Sequence, residues 1–173
     1  MTINLFDDGA WHTLLPLTFT RPVADLRIGI LTIAQKWEKH LNARSGFVTV
    51  PYLALKYPAI DNAELFINGS ICPDENLTEA IMSLGKGELL AKQGVNIAYK
   101  PEAGDAISPE LLTRLSAKEY TGEFVRISMP EDLFKFNDAE LKKDFKLITK
   151  GRTSVKLSNT NTFIGDDIFA EEG

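Results

Sequence analysis

A single cysteine, Cys72, in 173 residues excludes an internal disulfide, and one thiol with no histidine motif nearby fits an inert residue in a reducing compartment. Long apolar runs are missing, so no segment reaches membrane-spanning length. Asp7 and Asp8 stand where a secretion signal would be basic and then apolar. Asn68-Gly69-Ser70 and Asn76-Leu77-Thr78 match the glycosylation pattern, but without a secretion signal the match carries nothing. An excess of positive charge is also missing: the net charge of −5 offers no basic face and argues against nucleic acid as a partner. Together these absences point to a cytoplasmic protein with no membrane and no nucleic-acid partner. At 44% apolar and 25% charged residues, the chain has an ordinary globular composition, long enough to bury a core without metal or disulfide.

What is present is concentrated early. Leu14 to Gly29 carries two arginines, Arg21 and Arg27, and two threonine hydroxyls, Thr18 and Thr20, on a segment that Pro16 and Pro22 keep out of helix. It lies between an apolar strand, Ile3-Asn4-Leu5-Phe6, and an amphipathic helix. In nucleotide-binding α/β folds, that position handles phosphate. Arginine suits bidentate contact with phosphate oxygens. Two readings stand for these arginines: they grip an anionic ligand, or they pair with Asp25, Asp7 or Asp8 and tie the loop down.

Farther along, Ile30, Ile33, Ala34, Trp37 and Leu41 predict a helix opening near Gly29, with Lys36, Glu38 and Lys39 on its other face. Strands are predicted at Phe47–Val50, Glu64–Ile67, Glu88–Ala91, Val95–Tyr99 and Glu123–Ile127. Gln93-Gly94 reads as a hairpin turn, and Pro51 as the start of a short helical turn. Asp74 caps a helix with Leu77, Ala80, Ile81 and Leu84 inside, and Ser108-Pro109-Glu110 opens another with Leu111, Leu112 and Leu115. Asn137 and Glu140 resemble a capping box for a last helix burying Leu141, Phe145 and Ile148. Strands alternating with helices predict a three-layer α/β domain on a mixed sheet over residues 1–150. Residues 151–173 turn rich in Ser, Thr, Asn and Gly, and Ile164 and Ala170 sit one six-residue step apart, the period of a left-handed β-helix coil.

Three segments resemble the bacterial sugar nucleotidyltransferases, divergent relatives of the bifunctional N-acetylglucosamine-1-phosphate uridyltransferase/glucosamine-1-phosphate acetyltransferase family. They are Pro16 to Val23 continuing through Arg27–Ile33 and Lys36-Trp37, then Phe66 to Ser70, and then Asp132-Leu133-Phe134, Asn137 and Asp144-Phe145 through Thr149–Arg152. The resemblance implies a nucleotidyltransferase-like domain of the glycosyltransferase-A type. It implies residues 151–173 as a linker and first partial coil of a hexapeptide-repeat acyltransferase-like domain, and a homotrimeric parent protein. The implied reaction joins a nucleoside triphosphate to a sugar 1-phosphate and releases pyrophosphate, with Mg²⁺ as the expected cofactor.

By the same resemblance, Pro16-Leu17-Thr18 matches the segment after the superfamily's glycine-rich loop, and Arg21 stands where that superfamily has lysine. Arg21 is therefore the catalytic candidate, with Thr18, Arg21, Arg27, Asn68 and Gly69 as phosphate and substrate contacts and Asp7 and Asp8 as candidate metal ligands. Two departures are plain. The glycine-rich loop is reduced to Asp7-Asp8-Gly9-Ala10-Trp11-His12, and the metal-holding aspartate is replaced by Ser70. They support an alternative expectation, a catalytically inactive domain of the same fold that binds nucleotide or sugar phosphate or serves assembly. His12, Lys150 and Arg152 read as surface, packing or helix-end residues, and Asp105 has no orientation that the sequence assigns.

Overall fold

The computed structural model describes residues 1–102, 109–165 and 168–171. The chain opens with β1 (Thr2–Phe6), a short helix α1 (Ala10–Thr13) and a 3-10 turn over Val23–Asp25. A small hairpin, β2 (Arg27–Ile28) and β3 (Leu31–Thr32), precedes α2 (Ile33–Leu41), β4 (Arg44–Val48) and α3 (Pro51–Ala54). Next come β5 (Leu65–Asn68), β6 (Ile71–Cys72), α4 (Glu75–Met82), β7 (Glu88–Lys92) and β8 (Val95–Lys100). The described elements end with α5 (Pro109–Arg114), β9 (Ser116–Glu119), β10 (Val125–Arg126) and α6 (Pro130–Thr149).

The central sheet has the order β4-β1-β5-β8-β7-β9. β1 runs parallel to β4 and β5, β8 opposes both β5 and β7, and β9 runs parallel to β7. Every strand but β8 therefore points the same way. Phe6 pairs with Val48 on one side and Asn68 on the other, so β1, β4 and β5 end level with one another. That shared carboxyl edge carries Asp7, Thr49 and Asn68.

Period-two alternation sorts the side chains into two cores. Ile3, Leu5, Leu65 and Ile67 face Ile33 and Trp37 of α2 and Leu77 and Ile81 of α4. Phe6, Phe66 and Tyr99 face the other way, with Leu111 of α5. Asn4 is buried on that second face, where its amide donates to the carbonyl of Ile60 and accepts from the Ile60 N–H. Gly46 lies opposite within β4, because a Cβ there would sit 2.6 Å from both Asn4 Oδ1 and the Ile60 nitrogen.

The helix after the arginine-bearing loop differs in where it starts. The helix expected from Gly29 begins at Ile33, capped by Thr32 and Gln35 reciprocally. Residues 27–32 form the β2–β3 hairpin instead, turning at Gly29 with φ +75°. The Gln93-Gly94 hairpin and the Asp74 cap are where the sequence places them, with Asp74 Oδ1 accepting from Leu77 N–H at 2.8 Å. β9 has no counterpart in the sequence reading, since all four of its residues are exposed and lack alternation. Ser108 and Asp105 lie outside the described residues. Cys72 is buried, and burial pushes its thiol far up. The described residues of the 151–171 tail form neither helix nor strand; its two ends meet through the Arg152–Glu171 ion pair at 2.6 Å and the hydrogen bonds of Ala170 with Ser154 and Val155.

α6 departs most. It begins at Pro130, a proline at the first helical position, and Asp132 Oδ2 accepts from the N–H groups of Ser128 and Met129. Its inward face starts apolar, with Leu133 and Phe136 against the main core, and turns charged further on. Glu140 and Asp144 are 1% and 2% exposed and close on Lys36 of α2, itself 2% exposed, at 3.0 and 2.5 Å. Leu141, expected inside, is on the surface, and Phe145 and Ile148 are half-buried. Asp144 Oδ2 also accepts from the N–H groups of Ile30 and Leu31, and Asn137 Oδ1 accepts from Gly29 N–H at 2.8 Å. The expected capping residues, Asn137 and Glu140, thus dock the helix on its neighbours instead of starting it. The approach is close: a Cβ on Gly29 would lie 2.7 Å from Asp144 Oδ2 and 2.8 Å from the α6 backbone.

Removing the Lys36 cation leaves two buried carboxylates facing each other. Lys36→Met is expected to lower unfolding free energy by about 3–5 kcal/mol, read from urea denaturation. Adding Glu140→Gln and Asp144→Asn to that variant should recover part of the loss.

Candidate active site

Four polar side chains converge at the carboxyl edge of the sheet. Asp7 and Asp8 follow β1 directly, and Asn68 ends β5. Asn68 is buried and all its hydrogen-bonding capacity is used. Its Nδ2 donates to Asp8 Oδ2 at 2.8 Å and to the carbonyl of Asn96 at 3.0 Å. Its Oδ1 accepts from the N–H and hydroxyl of Ser70 at 2.9 and 2.7 Å. Gly69 N–H donates to the carbonyl of Phe6 at 2.8 Å, tying the Asn68-Gly69 turn to the end of β1.

β10 brings in the residue that completes the cluster. It pairs with β6 just beyond Ser70, and the register sets Arg126 opposite Ile71. The Arg126 guanidinium donates through Nη2 to Asp8 Oδ2 at 2.7 Å and through Nε to Ser70 Oγ at 3.2 Å. Two of its five N–H donors are used by these bonds, and among the described residues the other three have no hydrogen-bond partner. Its side chain is 29% exposed. The site thus presents a fixed, solvent-reachable cation with donors to spare.

Asp7 faces the arginine-bearing loop. Its Oδ1 accepts from Val23 N–H at 2.9 Å and its Oδ2 from the Thr49 hydroxyl at 2.5 Å. Burial, reinforced by the charge of Asp8, pushes its pKa up to about 6 against the pull of those two bonds.

The other sequence candidates are spread around this cluster. Thr18 is fully buried, and its hydroxyl donates to the carbonyl of Trp11 at 2.6 Å, latching the loop from inside. Arg21 is on the exposed rim two residues before Val23, 4.0 Å from Asp25. Asp25 in turn accepts from the Tyr57 hydroxyl at 2.9 Å. Arg27 hydrogen-bonds the carbonyl of Ile30 within its own hairpin. The structure therefore brings together Asp7, Asp8, Asn68 and Gly69, keeps Arg21 at the margin, and turns Thr18 and Arg27 to local structure. His12 is exposed and packs edge-on against Trp11.

Sequence reading missed Arg126. Its signal was a lone cation inside an apolar strand, Phe124-Val125-Arg126-Ile127, a place where a charge needs a partner.

The carboxylates are a poor match for a resident Mg²⁺. That ion asks for about six oxygens in octahedral array, whereas Asp7 and Asp8 accept hydrogen bonds on all four of their oxygens and Asp8 already neutralises a guanidinium. Among the described residues no cluster of three or more His, Cys, Asp or Glu is arranged to hold a metal. No described helix is long and apolar enough to cross a membrane.

A mostly parallel sheet with a polar cluster at its carboxyl edge is the arrangement in which α/β domains of the nucleotide-handling kind place their ligands. The chain matches the sugar nucleotidyl transferase family over residues 3–153, and it belongs to that family. No protein of curated function matches it. Family membership carries a nucleotidyltransferase-like function, with nucleotide and sugar-phosphate ligands implied.

The Asp7 shift has a consequence for stability. An acid whose folded pKa is raised binds more protons folded than unfolded between about pH 4 and 6, so its contribution to stability falls as pH rises through that window. Asp7→Asn keeps an acceptor for Val23 and a partner for Thr49 without the charge. It is expected to be more stable than the parent by about 1–3 kcal/mol at pH 8, with the gain shrinking toward pH 4, as measured by urea unfolding across that range.

Proposed function

We propose that this domain joins a nucleoside triphosphate to a sugar 1-phosphate and releases pyrophosphate, with Arg126 as the anchor for phosphate. The observation that carries this reading is the Arg126 guanidinium, held by Asp8 and Ser70 at the carboxyl edge of the sheet with donors left over. Phosphoryl-type transfer asks for in-line positioning and for neutralisation of crowded charge. Arg126 supplies a fork of N–H groups suited to phosphate oxygens. Asp8 and Ser70 hold that fork in orientation, and Asn68 holds both of them. In this reading Arg21, 4.0 Å from Asp25 on the rim, is the second cation offered to the same phosphates. Mg²⁺ enters in this reading with the substrate, as the metal–triphosphate complex.

The test is pyrophosphate release from a panel of nucleoside triphosphates and sugar 1-phosphates in the presence of Mg²⁺ or Mn²⁺. Turnover with at least one pair is expected, and Arg126→Ala should lower kcat/KM by roughly 100-fold or more, on the scale of a lost charge-assisted contact in a transition state. Arg27→Ala should leave it near the parent value, since that side chain serves its hairpin. No turnover with any pair overturns the transferase reading.

The closed Asp8–Arg126 pair favours one second reading, a binding domain that does not catalyse. Calorimetry separates the two, because nucleotide binding that depends on Arg126 with no pyrophosphate release supports the second.

A further inference from the structure

A cleft of about 490 Å³ opens between the last turn of α2, the first turn of α4 and the last turns of α6. Its volume falls within the ~300–1,000 Å³ range of small-molecule sites. It shares no residue with the cluster at the carboxyl edge. α2 runs toward the start of β4, which pairs with the start of β1. His40, which lines the cleft, is thus placed toward the end of the sheet opposite to Asp7, Asp8 and Asn68.

Two walls of this cleft carry opposite charge and do not meet. α6 supplies Lys143 and Lys146, with Lys150 just past its end, while Asp74 and Glu75 stand at the start of α4. Lys143 is already paired, with Glu140 of its own helix at 2.8 Å. The side chains of Lys146, Lys150 and Glu75 have no ion-pair or hydrogen-bond partner among the described residues. Asp74 spends Oδ1 on capping α4. The negative end of a helix favours cations, which accounts for lysines at the end of α6 but gives them no counter-ion. The remaining lining is uncharged: Pro73 is buried and Leu147 half-buried. Burial holds the His40 imidazole below its ordinary range against the pull of Asp74 and Glu75, so it is mostly neutral at pH 7.

These features specify a guest. Two unpaired ammonium groups match one phosphate monoester, which carries about −1.5 to −2 charge near pH 7 and is a group that lysine binds as a point charge. Carboxylates opposite would repel a bare anion, yet they accept hydrogen bonds from hydroxyl groups. Pro73 and Leu147 offer apolar surface to the C–H face of a sugar ring. We infer that the α2–α4–α6 cleft is a ligand site separate from the carboxyl edge, and that it takes a sugar phosphate. The phosphate lies against Lys146 and Lys150, the hydroxyls against Asp74, Glu75 and Asn76, and the ring carbons against Pro73 and Leu147. Nothing in this site depends on the reaction at the carboxyl edge.

Amide NMR spectra of the whole chain, titrated with glucose 6-phosphate, fructose 6-phosphate and ribose 5-phosphate, test it. At least one of the three is expected to saturate at millimolar or lower concentration, shifting the backbone resonances of His40, Glu75, Asn76 and Lys146. Lys146→Gln combined with Lys150→Gln should weaken that binding by roughly tenfold or more, the scale of lost charge-assisted contacts, with the melting temperature unchanged. Glu75→Gln should weaken the sugar phosphate and strengthen inorganic phosphate, because a carboxylate holds a hydroxyl and repels a bare anion. Failure of all three to saturate overturns the site. So do shifts that fall at Asp8, Asn68 and Arg126 instead, or an affinity indifferent to the paired lysine change. Inorganic phosphate binding as tightly as the sugar phosphates overturns the assignment of a sugar.

Discussion

The architecture depends on one buried cation. Lys36 on α2 is sealed from water between Glu140 and Asp144 of α6. Burying those three charges costs several kcal/mol per ion before any attraction is counted, so the arrangement persists only because every polar atom there is used. Asp144 spends its second oxygen on two backbone N–H groups of the β2–β3 turn, and Glu140 spends its second on Lys143 at 2.8 Å. Two lysines meet two carboxylates, and the cluster is neutral. Its geometry locks the hairpin at residues 27–32 and the helix directly after it to the last long helix, some hundred residues further on. Leu133 and Phe136 pack the start of α6 on the core, and the paired charges fix its later turns against α2 and the hairpin.

That constraint explains which parts of the fold were legible in the chain. β1 and β5 announce themselves as apolar runs, and the Asp74 cap and the Gln93-Gly94 turn are set by local chemistry that no distant contact overrides. α6 obeys a nonlocal rule. Periodicity finds its apolar stripe, Leu141, Phe145 and Ile148, and assigns it inward. The structure turns the helix so that Glu140 and Asp144 go in, because a lysine a hundred residues earlier is waiting there. No pattern within α6 reveals a buried partner on α2. The β2–β3 hairpin was hidden for a related reason: Gly29 reads as a helix start, yet its N–H, with those of Ile30 and Leu31, is claimed by α6 side chains.

The site divides along the same line. Asp7, Asp8, Asn68 and Gly69 were legible because strand ends on a parallel sheet fall at one edge. The arginines were harder to place, since residue type suggests phosphate for all of them while geometry assigns each a different task. Arg27 closes a turn, Arg21 stands at the rim beside Asp25, and Arg126, contributed from 118 residues beyond Asp8, occupies the centre.

Ser70 and Arg126 are best understood as one substitution in charge. The superfamily pattern that this chain resembles has a carboxylate at position 70 and draws its positive charge from a metal. Here position 70 carries a neutral hydroxyl that donates to Asn68 and accepts from Arg126 Nε, so it orients a cation instead of ligating one. An aspartate at that position would give Arg126 a second carboxylate beside Asp8, and a guanidinium clamped by two acids has less attraction left for a phosphate. With serine the guanidinium is paired with Asp8 as its one carboxylate among the described residues, and both side chains of that pair remain partly exposed. In the proposed reading, Ser70 and the arginine at the edge therefore belong to a single arrangement, in which the positive charge offered to a phosphate is built into β10.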